Sequence, residues 1–193
     1  ALEMNMMREL DLAAMHACTR ALAMLRAQGF MSLIVGFNAS SQTLARESFV
    51  NRLEWELDRL NLPAEKVAVE AQENAVVASS GAIRESEAAI SRLKNLGVRV
   101  ALDDFGVGYA GLAHLAKLEF NAVKTDRTLI QDIAVNPSRR KIFETIVDLC
   151  ATLEIRLIAK GVEDEETARA VSDLGCNLVQ GYVASAPLRV SDL

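Results

Sequence analysis

The chain has 193 residues, of which 51% are hydrophobic and 24% charged, and its formal net charge is −5. This length suits one well-buried core, and the acidic balance argues against binding a nucleic-acid polymer or a membrane surface. No apolar run approaches the roughly 18 residues of a membrane-spanning helix, and no signal peptide is visible. Three widely spaced cysteines, Cys18, Cys150 and Cys176, indicate buried, reduced thiols in a cytoplasmic domain.

The first half of the chain alternates helix-like segments with short β-branched runs. In chain order the pattern predicts a helix over 3–28, a strand over 33–38, a helix over 49–60, a strand over 67–70, a helix over 90–96 and a strand over 98–104. Phe49, Leu53 and Leu57 fall on one helical face. Gly29 and Gly97 are expected to end the first and third helices.

The second half repeats this scheme. It predicts a strand over 122–124, a helix from Pro137 to Leu153, a strand over 156–160, a helix capped by Asp164 and ended by Gly175, and a strand over 178–180. Six strands that alternate with helices imply parallel pairing with right-handed crossovers. The apolar runs that fill the strands suit burial on both faces.

Two α/β architectures fit six such strands: an open doubly wound sheet, or most of an eight-stranded barrel. No glycine-rich loop follows the first strand, which weakens the dinucleotide-binding alternative. The barrel is therefore favoured, as a (β/α)8 TIM-like fold whose first strand or strands lie upstream of this chain.

Each predicted strand ends in a polar residue. In chain order these residues are Asn38, Glu70, Asp103 with Asp104, Lys124, Lys160 and Gln180. One such residue alone is more often a helix cap, but strand ends of a parallel barrel converge at one mouth, where such enzymes keep their chemistry. Converging carboxylates need a cation, and oxygen ligands select a hard ion such as Mg²⁺, Mn²⁺ or Ca²⁺ rather than zinc. With a phosphodiester bound, such ions activate water.

Motifs spread over the whole chain resemble those of EAL domains, the bacterial cyclic-di-GMP phosphodiesterase family. Asp103-Asp104-Phe105-Gly106-Val107-Gly108-Tyr109 is similar to the family's D-D-F-G-T-G-Y. The other matches are Phe37-Asn38-Ala39-Ser40 to V-N-L-S, Glu70-Ala71-Gln72-Glu73-Asn74 to E-[IL]-T-E-S, Lys124-Thr125-Asp126-Arg127 to K-I-D-R, Lys160-Gly161-Val162-Glu163 to E-G-V-E, and Gln180-Gly181-Tyr182 to Q-G-Y.

The resemblance implies a role for each matching residue. Asn38, Glu70 and Asp103 would ligate a first Mg²⁺ or Mn²⁺, and Asp103 would bridge to a second ion with help from Asp104. Lys124 would hold the attacking water or the phosphate, with Gln180 assisting. The remaining positions would shape the site and its dimer-side loop, and they are Glu73, Phe105, Gly106 and Glu163. Water attacking in line would open cyclic-di-GMP to pGpG.

Two departures from the family pattern bear on hydrolysis. The E-A-L motif, with the arginine that follows it, is absent, so residues 1–193 are expected to form an EAL-type domain without the N-terminal strand that carries the motif. Lys160 replaces the glutamate that in the family helps to hold the second metal and its water. Two like charges about 4 Å apart repel by roughly 4 kcal/mol at an effective dielectric of 20. Lys160 either occupies the metal's place and pairs with Asp103 or Asp104, or points outward while Glu163 takes over.

Three functions therefore compete. The favoured prediction is a domain that recognises cyclic-di-GMP with hydrolysis impaired or lost, and with one metal ion or none. The alternatives are an active phosphodiesterase that tolerates Lys160, and a protein-interaction module that has lost the nucleotide. The resemblance further implies a homodimer attached to other signalling domains upstream, in the cytoplasm, without membrane contact by this segment.

Overall fold

A computed structural model of the chain describes residues 2–72, 82–106 and 112–192. Its helices and strands are, in chain order, α1 (Leu2–Ala27), β1 (Val35–Ala39), α2 (Ser41–Leu44), α3 (Glu47–Arg59), β2 (Val67–Gln72), α4 (Ala82–Asn95), β3 (Arg99–Phe105), α5 (Leu112–Leu118), β4 (Ala122–Thr125), α6 (Arg127–Ile130), α7 (Pro137–Thr152), β5 (Arg156–Lys160), α8 (Glu165–Asp173) and β6 (Val179–Gln180). The strands follow one another in the sheet in sequence order. The pairs β1–β2, β4–β5 and β5–β6 are parallel, as predicted.

The chain divides into two compact units, Ala1–Ala101 and Leu102–Leu193. In the first unit, the apolar faces of α1, α3 and α4 supply the fully buried side chains Met15, Leu22, Phe49, Leu53, Ile90 and Leu93. Phe49 also meets Phe37 of β1 edge to face, with ring centroids 6.3 Å apart. Burying each such side chain stabilises the fold by about 1.5–3 kcal/mol, so this helical face against β1 holds the strand that carries Asn38.

The core of the second unit includes Leu102 of β3, Leu115 of α5, Ile130 of α6 and Phe143 of α7, together with Ile133 from the segment between α6 and α7. Helices α7 and α8 begin where the sequence predicts. Pro137 opens α7, and the Asn136 side chain accepts from the N–H groups of Ser138 at 3.0 Å and Arg139 at 3.2 Å. Asp164 caps α8 by accepting from the Thr167 N–H at 2.7 Å. These caps satisfy amides that have no partner within the helix.

Some predicted boundaries and burial patterns are wrong. Strand β1 starts at Val35, so Leu33 and Ile34 lie outside it. The short helices α2 and α6 were not predicted, because four residues carry too little periodicity. Burial on both faces fails at β1, where Gly36 and Asn38 are exposed, and at β6, where both residues are exposed. Both strands stand at an end of the strand order and have one neighbouring strand each.

The three cysteines are free and buried, as expected from their spacing. Burial, together with the charge of the nearby Glu70, raises the pKa of Cys18 to about 12. Burial, together with the charge of the Cys176 thiolate, raises the pKa of Cys150 to about 11. Among the described residues, no helix combines the length and the apolar character needed to cross a membrane.

Candidate functional site

Lys160, at the end of β5, binds both acids at the end of β3. Its Nζ lies 3.0 and 2.9 Å from Oδ1 and Oδ2 of Asp103, and 2.6 Å from Oδ1 of Asp104. Asp103 is only 4% exposed, and a buried carboxylate needs a partner of opposite charge. One ammonium group therefore satisfies three carboxylate oxygens and neutralises half of the charge of the acid pair.

The ammonium group of Lys160 stays charged in this setting. Partial burial alone would lower its pKa, but hydrogen bonds to Asp104 and Asp103, together with the charges of those carboxylates, outweigh burial and raise the pKa above its usual value. At neutral pH the residue is a fixed cation that donates to the acid pair.

Backbone features next to the acid pair and Lys160 fix this geometry. Asp104 adopts a left-handed conformation with φ +56°, which Asp tolerates better than most residues. On β4, the fully buried Thr125 accepts a hydrogen bond from the Lys160 N–H at 3.3 Å through Oγ1. Register places Lys160 beside Gln180, and Lys124 beside Ile158. Since side chains alternate along a strand, Lys124, Lys160 and Gln180 belong to one face.

The segment after Lys160 is held against β6 and α6. The Gln180 carbonyl accepts from the N–H groups of Gly161 at 2.7 Å and Val162 at 3.1 Å. The side chain of Glu163 forms a two-pronged pair with Arg127, with both N–O distances 3.1 Å. The alternative in which Lys160 points outward and Glu163 replaces it is therefore wrong, because Glu163 is engaged with Arg127 while Lys160 reaches the acids.

In the first unit, Asn38 and Glu70 are neighbours in register on β1 and β2, and Asn38 is exposed. Gly36, two residues before Asn38 on the same face, makes room for the acid: a Cβ added to this glycine would lie 2.7 Å from Oε1 of Glu70. These two neighbours present amide and carboxylate oxygens, the donor types that hard divalent ions prefer.

The site-shaping positions are described in part. Phe105 is buried, and its carbonyl accepts from the Asp126 N–H at 3.0 Å. Gly106 has φ +105°, and an added Cβ would lie 2.5 Å from the Leu129 side chain, so only glycine fits. Glu73 and 107–109 lie outside the described residues. Within the described ranges, no group of three or more His, Cys, Asp or Glu side chains is arranged to hold a metal ion.

Two supporting residues were not predicted for these roles. Thr125 stands where the family's K-I-D-R motif has isoleucine, and its hydroxyl accepts from the backbone N–H of Lys160. Arg127 lies in the same segment. Its pairing with Glu163 could not be predicted from local sequence, because 36 residues separate the two. The sequence could have predicted a hydrogen bond for Thr125, because a hydroxyl on a buried strand requires a hydrogen-bond partner.

Each unit thus presents polar side chains near the carboxyl ends of its strands. In the first unit these are Asn38 and Glu70, and in the second they are Asp103, Asp104, Lys124, Lys160 and Gln180. The chain matches the EAL domain family over residues 1–187. It belongs to that family.

Relatives and solved structures agree with this assignment. The cyclic di-GMP phosphodiesterase NbdA of Pseudomonas aeruginosa is 32% identical over 189 residues, which are 98% of this chain and 24% of NbdA. The chain therefore spans about a quarter of that relative.

Two solved structures give the same fold. The EAL domain of DcpA from Mycobacterium smegmatis has a TM-score of 0.89 at 28% identity, covering 96% of this chain and 82% of that one. BlrP1 of Klebsiella pneumoniae, solved as a manganese and cyclic-di-GMP complex, has a TM-score of 0.77 at 25% identity, with coverages of 88% and 43%. The predicted family and the α/β fold of the EAL, TIM-like class are confirmed.

Proposed function

We propose that this chain is an EAL domain that recognises cyclic-di-GMP and in which hydrolysis to pGpG is impaired or lost. The observation that carries the proposal is the position of the Lys160 ammonium, 2.6–3.0 Å from three oxygens of Asp103 and Asp104. These are the acids that the family resemblance assigns to the second metal ion.

The residues present do not fit a second divalent ion. An ion bound by Asp103 and Asp104 would have to displace the ammonium group that already donates to them, or lie beside it and be repelled. The raised pKa of Lys160 disfavours the neutral amine that would relieve this repulsion. A water molecule would therefore lack the cation that activates it there.

Recognition of the nucleotide rests on other residues. Lys124 and Gln180 keep the family's identities on the face of Lys160, and they would contact the phosphate. Asn38 and Glu70 keep the oxygen donors of the first ion, Mg²⁺ or Mn²⁺. BlrP1, an EAL relative, was solved with manganese and cyclic-di-GMP, which supports both the ligand and the class of ion.

Calorimetric titration of cyclic-di-GMP, paired with a turnover assay in Mg²⁺ and in Mn²⁺, tests the proposal. We expect binding without measurable pGpG. The cyclic-di-GMP phosphodiesterase NbdA, a relative by sequence, favours the alternative of an active enzyme, and turnover comparable to an active family member would establish that alternative. Absence of binding would leave a protein-interaction module.

The Lys160→Glu variant identifies the cause of any defect. If charge reversal is the defect, the variant should bind a second ion and gain hydrolysis. Lys141→Glu provides a matched control, since it makes the same charge change at an exposed position of α7. An inactive Lys160→Glu variant would place the defect at a position other than Lys160.

The wider assembly follows from family resemblance. We propose a homodimer, attached to other signalling domains and located in the cytoplasm. Chemical crosslinking and sedimentation of the purified protein, with and without cyclic-di-GMP, would test the dimer.

A further inference from the structure

A buried carboxylate on α1 holds the backbone that follows Asn38. Oδ2 of Asp11 accepts hydrogen bonds from the N–H of Ser40 at 2.9 Å, from the hydroxyl of Ser40 at 2.6 Å and from the hydroxyl of Thr43 at 2.6 Å. Asp11 is 6% exposed and Thr43 is 1% exposed. Three donors from the four-residue stretch 40–43 thus converge on one oxygen.

These hydrogen bonds lie directly after β1 and therefore restrain the backbone next to Asn38. The ladder between β1 and β2 ends at the pair Ala39 and Ala71, one residue after the pair Asn38 and Glu70. The next residue, Ser40, donates hydrogen bonds to Asp11 through its N–H and its hydroxyl. Asn38 is therefore fixed on one side by the ladder and on the other by a carboxylate from a helix 26 residues long.

Capping alone does not require this acid. Ser40 itself accepts from the Thr43 N–H at 3.4 Å, and a serine at a helix start is sufficient as a cap. Burying a carboxylate costs free energy unless it is well hydrogen-bonded. Three charge-assisted bonds to Ser40 and Thr43, in the segment that follows Asn38, therefore point to a positional requirement.

We infer that Asp11 is a positioning residue for Asn38, and that it sets the direction of the Asn38 amide toward a divalent ion or the bound nucleotide. The inference rests on the proposed function, because it assigns Asn38 a ligand. Residues that orient a ligating side chain typically change affinity by about 10- to 100-fold when they are replaced.

A double-mutant cycle tests the inference. Cyclic-di-GMP affinity in the presence of Mn²⁺ is measured by calorimetry for the wild type, Asp11→Asn, Asn38→Ala and the double variant. We expect Asp11→Asn to weaken binding by about 10-fold or more, and to have little further effect once Asn38 is alanine. Equal losses with and without Asn38 would overturn the positioning role, as would an unchanged affinity in Asp11→Asn.

Two controls separate positioning from general stability. Glu56→Gln alters another buried acid of the same unit, 3% exposed, whose partners His16 and Arg59 lie on helices, and it should leave the affinity unchanged. Thr43→Val removes one donor from Asp11 with little change of shape, and Thr43→Ser restores the hydroxyl. Thr43→Val should weaken binding and Thr43→Ser should recover it, and this pair keeps the test decisive if Asp11→Asn does not fold.

The outcome also distinguishes a failure of the proposed function from a failure of the positioning role. A wild type that binds no cyclic-di-GMP overturns the proposed function, and the positioning role with it. A wild type that binds, with an Asp11→Asn variant that binds equally well, overturns the positioning role and leaves the proposed function standing.

Discussion

At the scale of single residues, the charge of position 160 decides what the acid pair can bind. A glutamate there would add a third carboxylate to Asp103 and Asp104 and would demand a cation. The lysine instead supplies the cation from the chain itself, and its Nζ contacts Asp103 and Asp104 at hydrogen-bond distances. One ammonium group thus bridges the two carboxylates.

Removing this lysine should create a dependence on metal ions. In Lys160→Ala the two carboxylates lose their shared cation, so Mn²⁺ should raise the Tm of the variant more than that of the wild type. An ion present at 100 times its Kd stabilises a folded state by about 2.7 kcal/mol. Thermal unfolding in EDTA and in increasing Mn²⁺ measures the difference, with Lys141→Ala as the control. Equal Mn²⁺ responses of all three proteins would contradict the prediction.

The pairing of Lys160 should also appear as a pH-dependent contribution to stability. Its pKa is raised in the folded chain, so the stabilisation is complete below the unfolded value, about 10.4. It is lost as the pH rises through the folded pKa, because the unfolded chain releases its proton first.

Urea unfolding of the wild type and Lys160→Met, from about pH 8 to pH 12, measures this contribution around the lysine pKa. The difference in unfolding free energy should be constant at the lower pH values and should shrink at the highest ones. Lys141→Met, at an exposed position, should show no such trend. A difference that stays constant throughout would show that Lys160 keeps no raised pKa.

At the scale of elements, the segment that joins β5 to α8 depends on contacts that local sequence does not reveal. The Gln180 carbonyl binds Gly161 and Val162 across about 20 residues, and Gly181 lies directly against Val162. An added Cβ on Gly181 would be 2.0 Å from the Val162 carbonyl oxygen, which is far inside van der Waals contact. The close approach explains the glycine after Gln180.

Gly181→Ala should therefore displace the segment after Lys160 and weaken binding of cyclic-di-GMP together with stability. Gly29→Ala is the matched control, because an added Cβ there meets nothing within 4 Å although φ is +96°. The control should cost only the backbone conformation, about 1–2 kcal/mol, without loss of affinity. Chemical denaturation and calorimetry of both variants measure the two effects, and equal behaviour of the two variants would contradict the steric argument.

The same scale shows what sequence patterns can and cannot predict. The polar residues Asn38, Glu70 and Lys160, at or near the ends of their strands, were predictable because β-branched runs end in residues that strands disfavour. The pairing of Lys160 with Asp103 was predictable as one of two alternatives, from charge alone. The hydrogen bonds from Ser40 to Asp11 were not predictable, because 29 residues separate the two and an acid within a helix usually indicates a solvated face.

At the scale of the whole molecule, strand order was predictable from the alternation of strands and helices, and the sheet confirms it. The exposure of residues in β1 and β6, the two strands at the ends of the sheet, was not predictable. An apolar run does not reveal how many neighbouring strands flank it. The three thiols are distributed over both units: Cys18 in Ala1–Ala101, and Cys150 and Cys176 in Leu102–Leu193. Each unit therefore contains at least one buried thiol whose labelling can report the unfolding of that unit.

Thiol labelling should report the opening of each unit. Burial raises the pKa of all three thiols, to about 12 for Cys18 and about 11 for Cys150, and a buried, protonated thiol does not react. At neutral pH we expect no maleimide labelling of the native protein in the time that labels the denatured chain fully, with sites assigned by peptide mass. Ser138→Cys, at an exposed position, provides the control for reagent activity.

In low urea, labelling of each cysteine should accelerate in proportion to the population of the open form of its unit. A common urea dependence for Cys18, Cys150 and Cys176 would show that both units open together. An earlier rise at Cys18 would show that the unit bearing Asn38 and Glu70 opens first. Rapid labelling of Cys18 in the absence of urea, with the helical circular dichroism unchanged, would contradict the burial of this α1 residue.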